Sequence, residues 1–447
     1  MLFKLLYCNN NCNNNICCSI FIKSDVLRKC QDLFNLRRNR RGLLQKIKIA
    51  ALGIIFPLSA ILSGCGGDTT SNSAAPTVTI AAVTPPPPPA TPISGIVDFT
   101  TIDVNRLDNY ANPVLPAYYD ATVAALDNSP NNNPINDRVA TLGRVLFYDK
   151  RLSVNDTTAC ASCHQQANGF DDPNRFSTGF SGTAFTSAHA MRLGNIRYYR
   201  PGTMFWDKRA ASLELQVSQP IIHPVEMGFD ATHGGINALL TKLAASTYYP
   251  DLFTLAFGNS AITEARIQQA LAQFTRAMIS AASRWDTAYA QVFNAAAPNR
   301  NLNVALPGFS ASEELGHQLF MTGPGQGGAG CAACHQPPTF GLAANSLSNG
   351  LDANETRIFK SPALKNVGLS RAFMHDGRFS TLEQVIEHYN SGIQNGPALD
   401  NRLKTPGGAP LRLNLTQNEK AALVAFLLTL NDNNLTTDAK FSNPFKK

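Results

Sequence analysis

Apart from two pairs of thiols, each spanning three positions, the chain from residue 66 onward contains no cysteine. That excludes a disulfide framework and leaves the stability of this part to a packed core. A surplus of charge is missing there as well. Ten of the 38 basic and two of the 31 acidic residues fall within residues 1–64, which leaves 28 against 29 in the remainder. The net charge of +7 therefore belongs to the N-terminal stretch, and nucleic acid is not among the expected partners. Convincing period-two alternation, the mark of half-buried strands, is absent too. The apolar run from Ile49 to Leu62 is shorter than the ~20 residues a membrane-spanning helix needs.

What precedes and follows that run gives it a meaning. Arg37, Arg38, Arg40, Arg41, Lys46 and Lys48 lie before it, and it closes on Leu62-Ser63-Gly64-Cys65. A positive region, a short apolar region and small residues at a cleavage site make residues 1–64 a leader with a lipoprotein signal. Cys65 would carry lipid and tether the mature chain to a bacterial membrane, by default the outer one, on the periplasmic side. An uncleaved anchor helix is the other reading, and it also puts the body outside the cytoplasm. Cys8, Cys12, Cys17, Cys18 and Cys30 lie upstream, in an Asn-rich stretch that takes no part in the fold. Residues 65–97, rich in Ser, Thr and Pro and including Pro85 to Pro89, read as a disordered, extended tether.

From there on the patterns are helical. Ile267, Leu271, Phe274 and Met278 repeat at spacings of three and four within Ile262 to Ala281, and a closing helix is expected over Gln417 to Leu430 with Thr416 as its N-cap. Asn, Pro and Gly clusters at 128–135 and 168–182 mark long loops. The fold class is mainly α, in two domains, 98–300 and 301–447, parted by the aperiodic stretch Ala295 to Pro307.

The thiol pairs belong to Cys160-Ala161-Ser162-Cys163-His164 and Cys331-Ala332-Ala333-Cys334-His335. Two thiols at this spacing can form thioethers to one haem while the next imidazole becomes an axial iron ligand, so two such motifs point to two covalently held haems c. A thioredoxin-like redox pair and a zinc site are the competing readings. Zinc would need a second donor pair, yet no cysteine follows Cys334.

Aligning the motifs exposes an internal repeat. Leu142-Gly143-Arg144-Val145-Leu146-Phe147 precedes the first, and Leu315-Gly316-His317-Gln318-Leu319-Phe320 the second. Downstream, Trp206 to Glu214 aligns without a gap on His375 to Glu383. These segments, with Leu142 to Ser153, Phe205 to Glu214, Pro224-Val225-Glu226-Met227 and Phe373 to Glu383, resemble the bacterial di-haem cytochrome c peroxidases, a family that includes the MauG-like enzymes. The resemblance covers Leu142 to Leu430.

It implies two cytochrome c-like domains, the N-terminal haem meeting hydrogen peroxide and the C-terminal haem relaying electrons. His164 and His335 become the proximal ligands. Glu226 resembles the family's distal glutamate, able to move a proton between peroxide oxygens. His189 resembles a distal ligand that leaves on activation, with an open site as the alternative. Trp206 resembles the tryptophan between the two haems. In the C-terminal half the family's sixth-ligand position falls on Tyr389, 14 residues after His375, and Met374 is the alternative. Asn195, with carbonyls near Ser370 and Ala372, resembles a calcium site. His223, His233, His317 and His388 match no ligand position and read as surface or structural. The partners implied are peroxide and a small cytochrome or cupredoxin as electron donor, with a homodimer among the assemblies allowed. Two other functions stay open: a MauG-like oxidase acting on a partner protein or organic substrate, and a lipid-tethered electron-transfer cytochrome without catalysis.

Overall fold

The structure, a computed structural model, describes residues 94–447, so the leader, Cys65 and most of the tether lie outside the described residues. The tether expected to reach residue 97 gives way to a helix at Ser94–Phe99, because Ile96 finds a place in the core and is buried there.

Two helix crossings organise the rest. Helix α1 (Asp137–Tyr148) starts where the Asn136 side chain accepts the Arg138 and Val139 N–H groups, and it crosses α2 (Glu264–Arg276), which Thr263 caps. Helix α3 (Ala311–Met321) crosses α4 (Gln417–Leu428) in the same way. Both begin with reciprocal capping boxes, Ser310 with Glu313 and Thr416 with Glu419, and Thr416 is the N-cap expected from sequence. A Cβ added to Gly143 would meet the Ala270 carbonyl oxygen at 2.0 Å, and one added to Gly316 would meet the Ala422 oxygen at 1.9 Å. Glycine at these two points lets the backbones touch. Phe274 and Phe426 flank the two contacts and are fully buried, so one crossing is used twice, as the sequence repeat requires.

Ile267, Leu271 and Phe274 form the buried stripe of α2, but the helix stops at Arg276 instead of running on to 281. Asn195 takes over the chain there: its N–H donates to the Met278 carbonyl at 2.9 Å, and its side-chain oxygen accepts the Ser280 N–H at 2.8 Å.

Each crossing anchors its own core. Leu142, Leu146, Phe147 and Phe274 centre the first, which also takes in Leu435 and Phe441 from the C-terminal tail. Trp285, Tyr289, Phe320, Phe340 and Phe426 centre the second, which takes in Tyr118 from far upstream. The helix Arg284–Val292 thus belongs to the second core, and the packing changes hands between Met278 and Trp285, earlier than the expected boundary at 300. The cause is the burial of an aromatic stack and an ion pair at this point. Trp285 stacks on Tyr289 at 4.7 Å, while Asp286 meets Lys365 at 2.6 Å and accepts the Tyr118 hydroxyl at 2.7 Å.

Between the helices the loops repeat as well. Asn195 and Asn366 both hold positive φ (60° and 62°), and so do Phe205 and Met374 (66° and 72°). The bridges Met204 to Ala210 and Phe373 to Phe379 close equivalent turns. Regular strand pairing among the described residues is confined to His335–Gln336 against Gly341–Leu342.

Candidate functional site

Cys160 and Cys163 occupy one helical turn, and Cys331 and Cys334 flank a 3-10 turn; all four are half-buried. Burial pushes the thiols of Cys160 and Cys331 up to about 12 and that of Cys163 to about 11. They are thiols, not thiolates, at neutral pH, the opposite of an attacking redox cysteine. No group of three or more His, Cys, Asp or Glu side chains able to hold a metal ion occurs among the described residues.

The imidazoles after the pairs are prepared for a ligand. His164 Nδ1 lies 3.2 Å from the Phe170 carbonyl, which assigns its proton to that nitrogen and leaves Nε2 as the free donor. Burial lowers the pKa of His164 and, with Arg192 and Arg402 nearby, takes that of His335 to about 4, so both rings stay neutral.

Glu226 stands beside the first pair: its charge acts on both Cys160 and Cys163. Its carboxyl is one-third exposed and has a raised pKa, from burial opposed by His223 and Arg209. A partly sheltered carboxyl whose pKa is raised by burial gives up its proton less readily than a free one and is suited to passing a proton in both directions. His223, which the sequence marked as ordinary, belongs to this group. Its Nδ1 accepts the Val225 and Glu226 N–H groups at 3.3 Å and lies 3.7 Å from Glu226 Oε1. No family position predicted it; the i,i+3 spacing to Glu226 was the available signal.

The second pair opens on a cavity of about 380 Å³, lined by His335, Leu423, Leu427, Phe320, Met374 and Tyr389 among others. Met374 and Tyr389 share its wall and converge on one amide, Asn349 Nδ2, at 3.3 Å from the sulfur and 3.5 Å from the hydroxyl. His388 Nε2 holds the Asn349 carbonyl at 3.1 Å, so this buried histidine fixes the group between the two candidate ligands. Tyr389 sits in a π-helical turn, His388–Gly392, and burial pushes its hydroxyl to about 12. An apolar chamber with a thiol pair at its edge, a neutral imidazole on one wall and a phenol and thioether on another suits a haem.

The wall between the halves holds His189. Its Nδ1 lies 3.2 Å from the Arg175 carbonyl and its Nε2 3.1 Å from Asp171 Oδ1, poorly aligned for a hydrogen bond. The ring lines the C-terminal cavity, with Nδ1 against a backbone carbonyl and Nε2 facing a carboxylate. Asp171 next to Phe170 draws the ring in, and Ser370 links that carboxylate to Arg192. Trp206 closes the wall: its indole N–H donates to the His189 carbonyl at 2.8 Å, and the His189 N–H donates to the His375 carbonyl at 3.0 Å. Trp206 thus spans the two halves and faces the same cavity.

Asn195 is buried and splices three segments of backbone. Its amide donates to the Ser280 and Thr339 carbonyls at 3.2 and 3.4 Å, while its oxygen accepts from Ser280. His233 is exposed and paired with Asp230, and His317 is buried against the Leu302 carbonyl, as their structural roles required.

A duplicated crossing with two such Cys-Cys-His turns defines a di-haem cytochrome. The family model for di-haem cytochrome c peroxidase matches residues 137–292 and 310–405, and the chain belongs to this family. It is 32% identical over 317 residues to methylamine utilization protein MauG of Methylorubrum extorquens, spanning 67% of this chain and 80% of that one. It is 28% identical to cytochrome c551 peroxidase of Nitrosomonas europaea over 66% of this chain and 81% of that one. Among solved structures, a MauG-like protein associated with microbial copper homeostasis superposes with a TM-score of 0.59 at 30% identity, over 74% of this chain and 99% of that one.

Proposed function

We propose that the chain is a c-type di-haem peroxidase that reduces hydrogen peroxide to two waters with two electrons and two protons, the electrons coming from a small cytochrome or cupredoxin. Cys160, Cys163 and His164 would hold one haem, and Cys331, Cys334 and His335 the other. Bound haem supplies the iron that takes peroxide and passes single electrons. The observation that carries this reading is Glu226: a half-sheltered carboxyl of raised pKa next to the first thiol pair, braced by His223. It would take a proton from one oxygen of peroxide and return it to the other, the transfer that O–O cleavage requires. Trp206, in the wall between the halves, would shorten the electron path from the C-terminal centre to the N-terminal one. The lipidated Cys65 and the tether would keep this body on the periplasmic face of a membrane.

A second reading is a MauG-like oxidase acting on a partner protein or organic substrate, and Tyr389 favours it. A phenolate from the π-helical turn would stabilise oxidised iron, whereas a thioether from Met374 would favour reduced iron. Purified protein with its haem content measured, assayed with peroxide and a reduced cytochrome c, tests the first reading. Two haems per chain and turnover that collapses in Glu226→Gln support it. Fewer than two haems, or a fully loaded protein inert toward peroxide, defeats it.

A further inference from the structure

Lys360 is 2% exposed, and no carboxylate lies within ion-pair reach of its ammonium among the described residues. Its Nζ has the Met191 sulfur at 3.3 Å and the Tyr199 ring face at 5.1 Å, both feeble partners for a charge. The residue lines the C-terminal cavity. Lys208 adds a second cation from the turn after Trp206, donating to the carbonyl of cavity residue Ser346 at 3.0 Å. Arg402 on the same wall is paired with Asp400 at 2.7 Å, and the buried Arg192 is 3.7 Å from Asp171. Lys208 and Lys360 are therefore in excess, a surplus of two positive charges around an apolar chamber. Taking an ammonium out of water without a counter-charge is expensive, and folded proteins tolerate it where a ligand brings the missing anion. Burial and Lys208 together lower the Lys360 pKa to about 8, the strain expected of a cation still lacking its partner.

We infer that Lys360, seconded by Lys208, anchors the carboxylates of the group bound in this cavity, the two propionates of the C-terminal haem. The inference rests on the haem-binding reading above. Haem carries two such carboxylates, which matches the surplus. Lys360 is a positioning residue: it touches neither iron nor peroxide, and it sets the electrostatic field in which that iron changes charge.

The test uses the holoprotein as parent, Lys360→Met, Lys360→Arg and Lys208→Gln, with haem per chain and the midpoint potential of each haem read by spectroelectrochemistry. Losing the cation leaves a propionate charge uncompensated, so Lys360→Met should lower the C-terminal potential and leave the N-terminal one in place. Lys360→Arg should restore it, and Lys208→Gln should give a smaller shift of the same sign. Selective loss of the C-terminal haem in Lys360→Met but not in Lys360→Arg supports the same conclusion. Two haems with an unshifted C-terminal potential in Lys360→Met overturn it. A saturable shift of the parent's potential on adding phosphate or acetate, absent in Lys360→Met, would assign the lysine to a free anion and overturn the propionate assignment. A parent that binds no haem defeats the proposed function instead.

Discussion

Replacing Glu226 by glutamine separates proton transfer from everything else the residue does. The amide keeps the size and can still bond, but it carries no mobile proton. Positioned acid–base groups contribute ~10²–10⁴ in rate. The carboxyl here is 33% exposed, so a solvent water can reach the same place and carry part of the load. That puts the expected loss at the lower end, ~10²-fold, or about 2.7 kcal/mol of barrier. Stability should move the other way. Burial raises this carboxyl's pKa, so its favourable contribution is present below the unfolded-state value and is lost as pH rises through the folded one. Above that window the charged side chain is a liability, and there Glu226→Gln should unfold no more easily than the parent. The assay is the rate of a single peroxide turnover at fixed reductant, alongside haem content, both haem potentials and a denaturant midpoint. A variant within threefold of the parent rate, with both haems intact, would remove Glu226 from the chemistry.

Arg209 lowers the Glu226 pKa from a half-exposed position, so Arg209→Gln should raise that pKa further and move the acid limb of the activity profile to higher pH. A screened pair worth ~0.2–1 kcal/mol corresponds to ~0.1–0.7 pH unit, and the shift should vanish in 1 M salt, where the Debye length is ~3 Å; a salt-independent shift would mean a structural cause. Tyr389, with its hydroxyl at about 12, should show no phenolate absorbance at neutral pH without haem. In the loaded protein Tyr389→Phe should change the ferric spectrum and Met374→Leu should not; the reverse pattern would make Met374 the ligand. Gly316→Ala drives a methyl to within 1.9 Å of the Ala422 carbonyl oxygen, and overpacking of this kind costs ~1–3 kcal/mol or more, read as a lower denaturant midpoint. A change below ~0.5 kcal/mol would show that the crossing can part.

The fold was legible where the sequence repeats itself. Gly143 and Gly316, with Phe274 and Phe426, sit in recognisable apolar patterns, and from these the two crossings follow. Thr416 announced its helix because capping is a local event. The change-over near Met278 was hidden, since it depends on Tyr118 reaching Asp286 across 168 residues of chain. The lining of the site divides along the same line. Cys160, Cys163, His164 and their C-terminal counterparts are a local motif, so they were named in advance. The surroundings of His189 were not legible, because the carboxylate it faces, Asp171, lies 18 positions upstream and carries no pattern of its own. Lys360 and His388 were invisible for a related reason: a buried cation and a buried imidazole are conspicuous only once the cavity around them is known.

What distinguishes the two halves lies outside the repeat. The crossing helices, their glycines and the thiol pairs are common to both, as are the left-handed residues Phe205 and Met374. The differences gather at the side chains that face the site. Beside the first pair stands a carboxyl one-third open to solvent, with an exposed imidazole and a guanidinium tuning it. Around the second are an apolar chamber, two candidate ligands from the wall and cations awaiting counter-charge. On the proposed function, the first arrangement would admit a small polar reagent and supply protons to it, whereas the second would hold charge on its own group. Joining them is a wall in which Trp206 and His375 occupy equivalent places in the repeat and both bond to the backbone of His189, so a shift of that one residue would be felt on both sides at once. The two halves thus keep the same crossing and differ in what lies between its helices: Gly235–Ala244 and Tyr249–Phe257 in the first, the π-helical turn that carries Tyr389 in the second.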